Sequence, residues 1–174
     1  MRCAAVAGVL LSLAGAAAAD DTSPAREHAR SSTTLYLSTT WSPAPTVPIR
    51  AGVDSALRLH HKGMAAEMRL GVGIAASALG LAAHGIAHGG FSLGGAFPLG
   101  SRVVVAPMLS LDAFVDLERF GRNVWVHYAT IAMPLSIVFE RGMVIELFVQ
   151  AGYARYYGTT DPAIVAGPRI GLVF

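Results

Sequence analysis

Cysteine is all but missing: the only one, Cys3, lies in the first ten residues. No disulfide framework and no thiol chemistry can therefore organise the rest of the chain. Lysine is as scarce. Lys62 stands alone, and the other basic residues are twelve arginines scattered along 174 positions. Charged residues make up 14%, against roughly 25% in ordinary soluble domains. The net charge of +2 comes with no basic cluster, which removes the electrostatic footprint of a nucleic-acid binder. Sustained apolar runs are also missing, although 53% of the residues are hydrophobic. Such a chain is too apolar to be disordered. Its length suits one domain, and it contains no internal repeat. What remains is a membrane protein, and the question is whether it spans as helices or as strands.

The opening residues read as a secretory signal peptide. Arg2 supplies the positive region, Ala4 to Leu13 the apolar region, and Ala17 and Ala19 the small-x-small pattern before Asp20. The apolar stretch is shorter than the about 20 residues of a spanning helix. Residues 1–19 are therefore expected to be cleaved, and Cys3 with them. Residues 20–31 (DDTSPAREHARS) are polar, contain Pro24 and are expected to form a flexible lead-in. Residues 32–174 then form the folded domain.

Two stretches lack formal charge, from Leu70 to Ser101 and from Asn123 to Phe139. Together they offer a helical alternative, a small helical membrane protein with two or three spans and small residues at its interfaces. The first, however, holds nine glycines, a density costly to any helix, and the second is short and carries Pro134. A strand reading accounts for more, because polarity alternates with period two. Leu35, Leu37 and Trp41 oppose Tyr36, Ser38 and Thr40. Ile49, Ala51, Val53, Leu57 and Leu59 oppose Arg50, Gly52, Asp54, Arg58 and His60. Met64, Met68, Leu70, Val72 and Ile74 oppose Glu67, Arg69, Gly71 and Gly73. Phe91, Leu93, Phe97 and Leu99 oppose His88, Gly90, Ser92, Gly94 and Ala96. The pattern continues with Leu109, Leu111, Ala113 and Val115 against Ser110, Asp112 and Asp116. It follows with Ile131, Met133, Leu135 and Ile137 against Tyr128, Thr130 and Ser136. Ile145, Leu147 and Val149 then oppose Glu146 and Gln150, and Ile170, Leu172 and Phe174 oppose Arg169 and Gly171.

These are eight segments, each near the about 9–11 residues of a tilted transmembrane strand. The fold class expected is all-β: an eight-stranded antiparallel up-and-down transmembrane β-barrel, apolar outside and polar inside, with both termini at one end. Short turns at His61–Gly63, Pro98–Gly100 and Glu140–Gly142 belong to that end. Ser42–Pro48, Ser77–Gly85, Leu117–Arg122 and Gly158–Pro162 belong to the other. Aromatic residues sort into two girdles, Trp41, Trp125, Tyr153 and Tyr157 at the outer rim and Phe97, Phe139 and Phe174 at the periplasmic rim. Pro107, Pro134 and Pro168 fall inside strands, where a missing N–H calls for bulges or register shifts. The stretch Ala75 to His84 fits strand, loop or a short helix.

The last segment, IVAGPRIGLVF, alternates and ends in Phe174. It resembles the C-terminal strand of bacterial outer-membrane β-barrels, and the chain from Thr33 onward is similar in size and plan to the small eight-stranded barrels of the OmpA transmembrane domain and OmpX type. The resemblance implies the cell outer membrane of a Gram-negative bacterium. It also implies outer-membrane lipid and lipopolysaccharide as surroundings, a monomer, and Phe174 as an assembly signal for the barrel-assembly machinery.

An eight-stranded barrel is barely wide enough for its own side chains. Arg50, Asp54, Arg58, Glu67, Arg69, Asp112, Glu146, Gln150 and Arg169 all share the inner face and are expected to pair into a polar network filling the lumen. Six histidines raise metal binding, but His84 and His88 would stand about 13 Å apart along a strand, and no carboxylate or cysteine pattern completes a site. No metal and no cofactor are expected. A lipid A deacylase-like hydrolase would need a hydroxyl activated by an imidazole. His88 with Ser92, and His127 with Ser136, miss the His-x-Ser arrangement that the deacylase family shows. The function expected is structural or surface-interacting and not enzymatic. The alternatives are a narrow channel or small-solute binder and, further off, an outer-membrane lipid-modifying hydrolase.

Overall fold

A computed structural model describes residues 23–42, 49–76, 83–117, 124–156 and 159–174. The expected signal peptide, Tyr157 and most of the far loops lie outside the described residues, as does the centre of the Ala75–His84 stretch. One helix, α1 (Pro24–Arg30), precedes eleven strands: β1 (Ser31–Thr40), β2 (Ile49–His61), β3 (Met64–Ala76), β4 (His84–Gly94), β5 (Phe97–Leu99), β6 (Val103–Val105), β7 (Met108–Asp116), β8 (Val124–Ala132), β9 (Leu135–Val138), β10 (Met143–Tyr156) and β11 (Thr159–Val173).

Three interruptions explain why eleven strands make eight staves. β4 continues into β5 past Gly95 and Ala96, β6 into β7 past Ala106 and Pro107, and β8 into β9 past Met133 and Pro134. Every neighbouring pair is antiparallel, and β11 joins both β10 and β1. The sheet is thus a closed eight-stranded barrel with no free edge, the one kind of sheet whose backbone groups are all satisfied in hydrocarbon. Among the described residues no helix is long and apolar enough to cross a membrane; the two uncharged stretches form strands.

The prolines behave differently from one another. At Pro107 and Pro134 the ladder breaks without the expected bulge, in the same register on both sides, and both carbonyls still accept from the next stave, from Gly95 N at 3.0 Å and from Ala106 N at 3.0 Å. At Pro168 the expected bulge does not occur. Pairing of β1 with β11 runs to Ser38 opposite Arg169, skips the proline and resumes in the same register at Trp41 opposite Ala166. A Cβ on Gly167 would collide with the Thr39 carbonyl, so glycine lets the backbones close up where the proline N–H is missing.

A bulge occurs instead where no proline announces it. Ser110 faces Thr130, but Asp112 faces His127, one residue out of step, and β10 slips against β8 at the same level. One extra residue reverses which face a side chain takes. His127 is therefore buried on the inner face.

The start of β1 and the end of β11 meet at one end of the barrel, where the β2–β3 hairpin turns on Lys62 and Gly63 with φ of 49° and 85°, the pattern of a two-residue type I′ turn. Residues 24–30 of the lead-in form α1 there. Ser23 caps α1 by accepting from Arg26 N, with Pro24 in the first turn. Ala25 N donates to the Ser101 carbonyl. Ala25, His28 and Ala29 turn inward and are buried against Ala65, Ala96, Val104, Val138 and Val144. Three small or ring-bearing inward residues in seven let the helix sit across the barrel mouth as a stopper. This is a burial pattern too short for periodicity to declare.

Candidate functional site

Along β1 the burial alternates without a break, exposed then buried, through all ten residues. The outward set is apolar: Leu35, Leu37, Val53, Leu57, Met68, Leu70, Val72, Leu109, Leu111, Ile131, Leu147 and Ile170 are all exposed, with Leu37 and Leu109 at 66%. The inward set is polar, and Arg58, Arg69, Asp54, Asp112 and Glu146 are among the most deeply buried side chains. A soluble barrel has these faces the other way round. An apolar belt this continuous is stable only against hydrocarbon. The protein is a membrane-spanning barrel.

All nine polar residues expected inside are buried, and the geometry sorts them into two groups. In the larger one, Arg58 donates from Nε and Nη2 to Glu67 Oε2 at 2.9 and 2.6 Å. Arg69 approaches Glu67 at 3.6 Å and Asp112 at 3.1 Å, and donates to the Ser92 and Ser110 hydroxyls at 2.8 and 2.7 Å. Gln150 donates to Asp112 at 2.7 Å and to Thr130 at 2.6 Å. Arg50 donates to Asp54 at 2.8 Å, and Ser38 donates to the same oxygen. His88 lies between the halves, Nδ1 at 3.3 Å from Asp54 and Nε2 at 3.3 Å from Asp112. The smaller group centres on Glu146, which pairs with Arg169 at 3.2 Å and accepts from Tyr36 at 3.2 Å and Ser136 at 2.9 Å. Four guanidiniums thus meet four carboxylates in a low-dielectric interior, where only paired charges persist.

Glycine makes this possible at two places. A Cβ on Gly71 would collide with the Asp54 carboxylate, and one on Gly90 with that of Asp112. Gly71 is paired with His88 in register, and Gly90, two residues along His88's own strand, is paired with Asp112. Bare backbone on one strand is the space into which a long polar side chain from the next strand folds.

Beyond those nine, the interior holds His88, Tyr36, Ser38, Ser92, Ser110, Thr130 and Ser136, which alternation places on the same face, and two aromatics that sequence reasoning missed. Phe114 stacks on His88 at 4.7 Å between centroids, meets His127 at 4.9 Å and lies under Arg50 at 5.4 Å. Phe148 carries Arg169 on its face at 3.8 Å and Arg69 at 5.2 Å. Both signals were available: Phe114 alternates with Asp112 and Asp116, and Phe148 stands between Glu146 and Gln150. An aromatic flanked at two-residue spacing by charges shares their face.

The girdle residues fall at strand ends. Trp41 and Tyr153 are exposed toward the far end, and Phe97 and Phe174 at the end carrying the termini, where Phe139 is half-buried. Trp125 lies in β8, and its side chain is outside the described residues, as is Tyr157. Phe174 N donates to the Thr33 carbonyl at 2.8 Å while its ring is 78% exposed. Among the described residues no group of three histidines, cysteines or carboxylates could hold a metal ion. His84 and His88 are both in β4, and only His88 is buried.

No family model and no curated protein matches the chain. Among solved structures it is similar to the Yersinia pestis outer membrane protein Ail in a phospholipid bilayer nanodisc, at 12% identity and a TM-score of 0.45, over 83% of this chain and 100% of that one.

Proposed function

We propose that the chain is an outer-membrane β-barrel of a Gram-negative bacterium, with a structural or surface-interacting role and a closed interior. The observation that carries this reading is that inward side chains crowd the interior and leave only a water-sized cavity among them. Paired arginines and carboxylates fill its middle, an apolar layer of Ala96, Val104, Met108, Val138 and Val144 lies below, and α1 covers the mouth. A solute would have to break buried ion pairs, each costing about 3–5 kcal/mol when one partner is lost. The lipid belt, the export signal expected in residues 1–19 and the terminal aromatic strand support the outer membrane as location. Lipid and lipopolysaccharide would then be its surroundings and the barrel-assembly machinery its route in, as a monomer.

The same geometry supports a non-enzymatic role. An acyl chain in the membrane reaches the outer face of the barrel, whereas His88 and His127 are buried on the inner face, the first held between two carboxylates. The test is conductance across a planar bilayer, with the folded state checked by mobility on a gel before and after boiling. The expected result is a shift in mobility and no stable unitary openings. Regular openings from folded protein would refute the closed interior.

A further inference from the structure

We propose that a small cavity in the half of the barrel away from α1 is a binding site for one monovalent anion of halide size. Its volume is about 20 Å³, and Arg50, Arg69, Arg169, His127, Phe114 and Phe148 stand in its wall. That exceeds the roughly 10–15 Å³ that a single water-sized occupant needs, so one small occupant fits.

The chemistry of the wall selects the occupant. Among the described residues, three guanidiniums and one carboxylate, Asp112, line the cavity, with Thr40, His88 and Gln150 as further polar neighbours. Nε of Arg50 and Nε of Arg169 are buried with no hydrogen-bond partner, as is His127 Nε2. Nε of Arg69 is also without one, coming only within 3.6 Å of Glu67. The three arginines are 2–5% exposed, so bulk water does not serve these groups. A guanidinium N–H can only donate. One water offers two acceptor lone pairs, fewer than the three unpartnered Nε–H groups of Arg50, Arg69 and Arg169. A halide accepts from every side and has no proton to place, so three converging Nε–H donors suit it. Each of the three guanidiniums keeps a carboxylate partner, Arg50 with Asp54, Arg69 with Asp112 and Arg169 with Glu146, so what the cavity offers is their unpartnered Nε–H groups. Phe148 and Phe114 cover the faces of the guanidiniums and leave their edges as the donating surface.

The decisive experiment is a crystal of the unaltered barrel grown or soaked in sodium bromide, with anomalous diffraction at the bromine edge. An anomalous peak in the cavity between the arginine edges is expected. A non-anomalous water in the cavity, or bromide confined to the surface, would overturn the proposal. A second measurement compares the thermal midpoint of gel mobility in sodium chloride and in sodium gluconate at equal ionic strength. The midpoint should be higher in chloride, and the difference should vanish in Val165→Phe, whose ring fills the cavity that Val165 lines. Equal midpoints in the unaltered protein, or a chloride effect that persists in folded Val165→Phe, would count against the site.

Discussion

Replacing Glu67 by glutamine keeps the shape of the side chain and removes its charge. In the folded barrel Glu67 is 4% and Arg58 2% exposed, and the two are joined at 2.6 and 2.9 Å. Glu67 is the partner that neutralises Arg58 in the described ion pairs, so Glu67→Gln leaves a buried cation uncompensated, at a cost of about 3–5 kcal/mol. Arg69 is affected less. It loses an approach of 3.6 Å and keeps Asp112 at 3.1 Å with the hydroxyls of Ser92 and Ser110. Removing both charges in Arg58→Met/Glu67→Met strands nothing, and that variant should lie near the parent or above it by up to about 4 kcal/mol. The single and double variants therefore differ in sign from simple addition, and the coupling between the positions should be large. Urea unfolding in lipid vesicles, followed by tryptophan fluorescence and by gel mobility, measures all the variants. A Glu67→Gln barrel within about 0.5 kcal/mol of the parent, the range of ordinary surface changes, would mean that water reaches the pair and that the interior is not closed. A double variant as unstable as the sum of the singles would refute the pairing.

The stopper should be sensitive to acid. Burial, and next the neighbouring Arg58, push the His28 imidazole down from 6.5 to about 4. Above pH 6.5 the ring is neutral whether α1 is docked or released; as pH falls toward 4 only the released form gains the proton. Docking should thus weaken by about 3 kcal/mol across that window, seen as faster amide exchange in residues 24–30, and His28→Leu should flatten the dependence. Gly71→Ala puts a methyl group where the Asp54 carboxylate lies and should cost about 1–3 kcal/mol by overpacking; a neutral effect on urea unfolding would show that Asp54 has room to move. Deleting Phe174, whose ring is 78% exposed, should change the stability of the refolded barrel little and lower its yield in the outer membrane. Unaltered assembly in cells would remove the terminal aromatic from the argument.

Alternation alone is enough to establish that this chain makes strands, how many staves it makes and which side faces lipid, because a strand's side chains point to opposite faces at every step. Leu35, Tyr36, Leu37 and Ser38 state the rule within four residues, and the charges of Arg50, Asp54, Arg58, Glu67 and Arg69 fall on one face by the same count. Spacing along a strand carries no information about neighbours across the barrel. That Arg69 meets Asp112, or that His88 stands between Asp54 and Asp112, follows from register, which turns, closure and glycine gaps set together. The bulge at Ser110 and Asp112 that turns His127 inward has no local signature, since a slipped residue matters only relative to the strand beside it. The docking of α1 is of the same kind. A seven-residue helix does not hold itself together, and Ala25, His28 and Ala29 form one because the open mouth of the barrel buries them. The sequence determined the two faces of the wall; the closed structure decided which side chains meet across the interior, because those contacts exist only once all eight staves are in place.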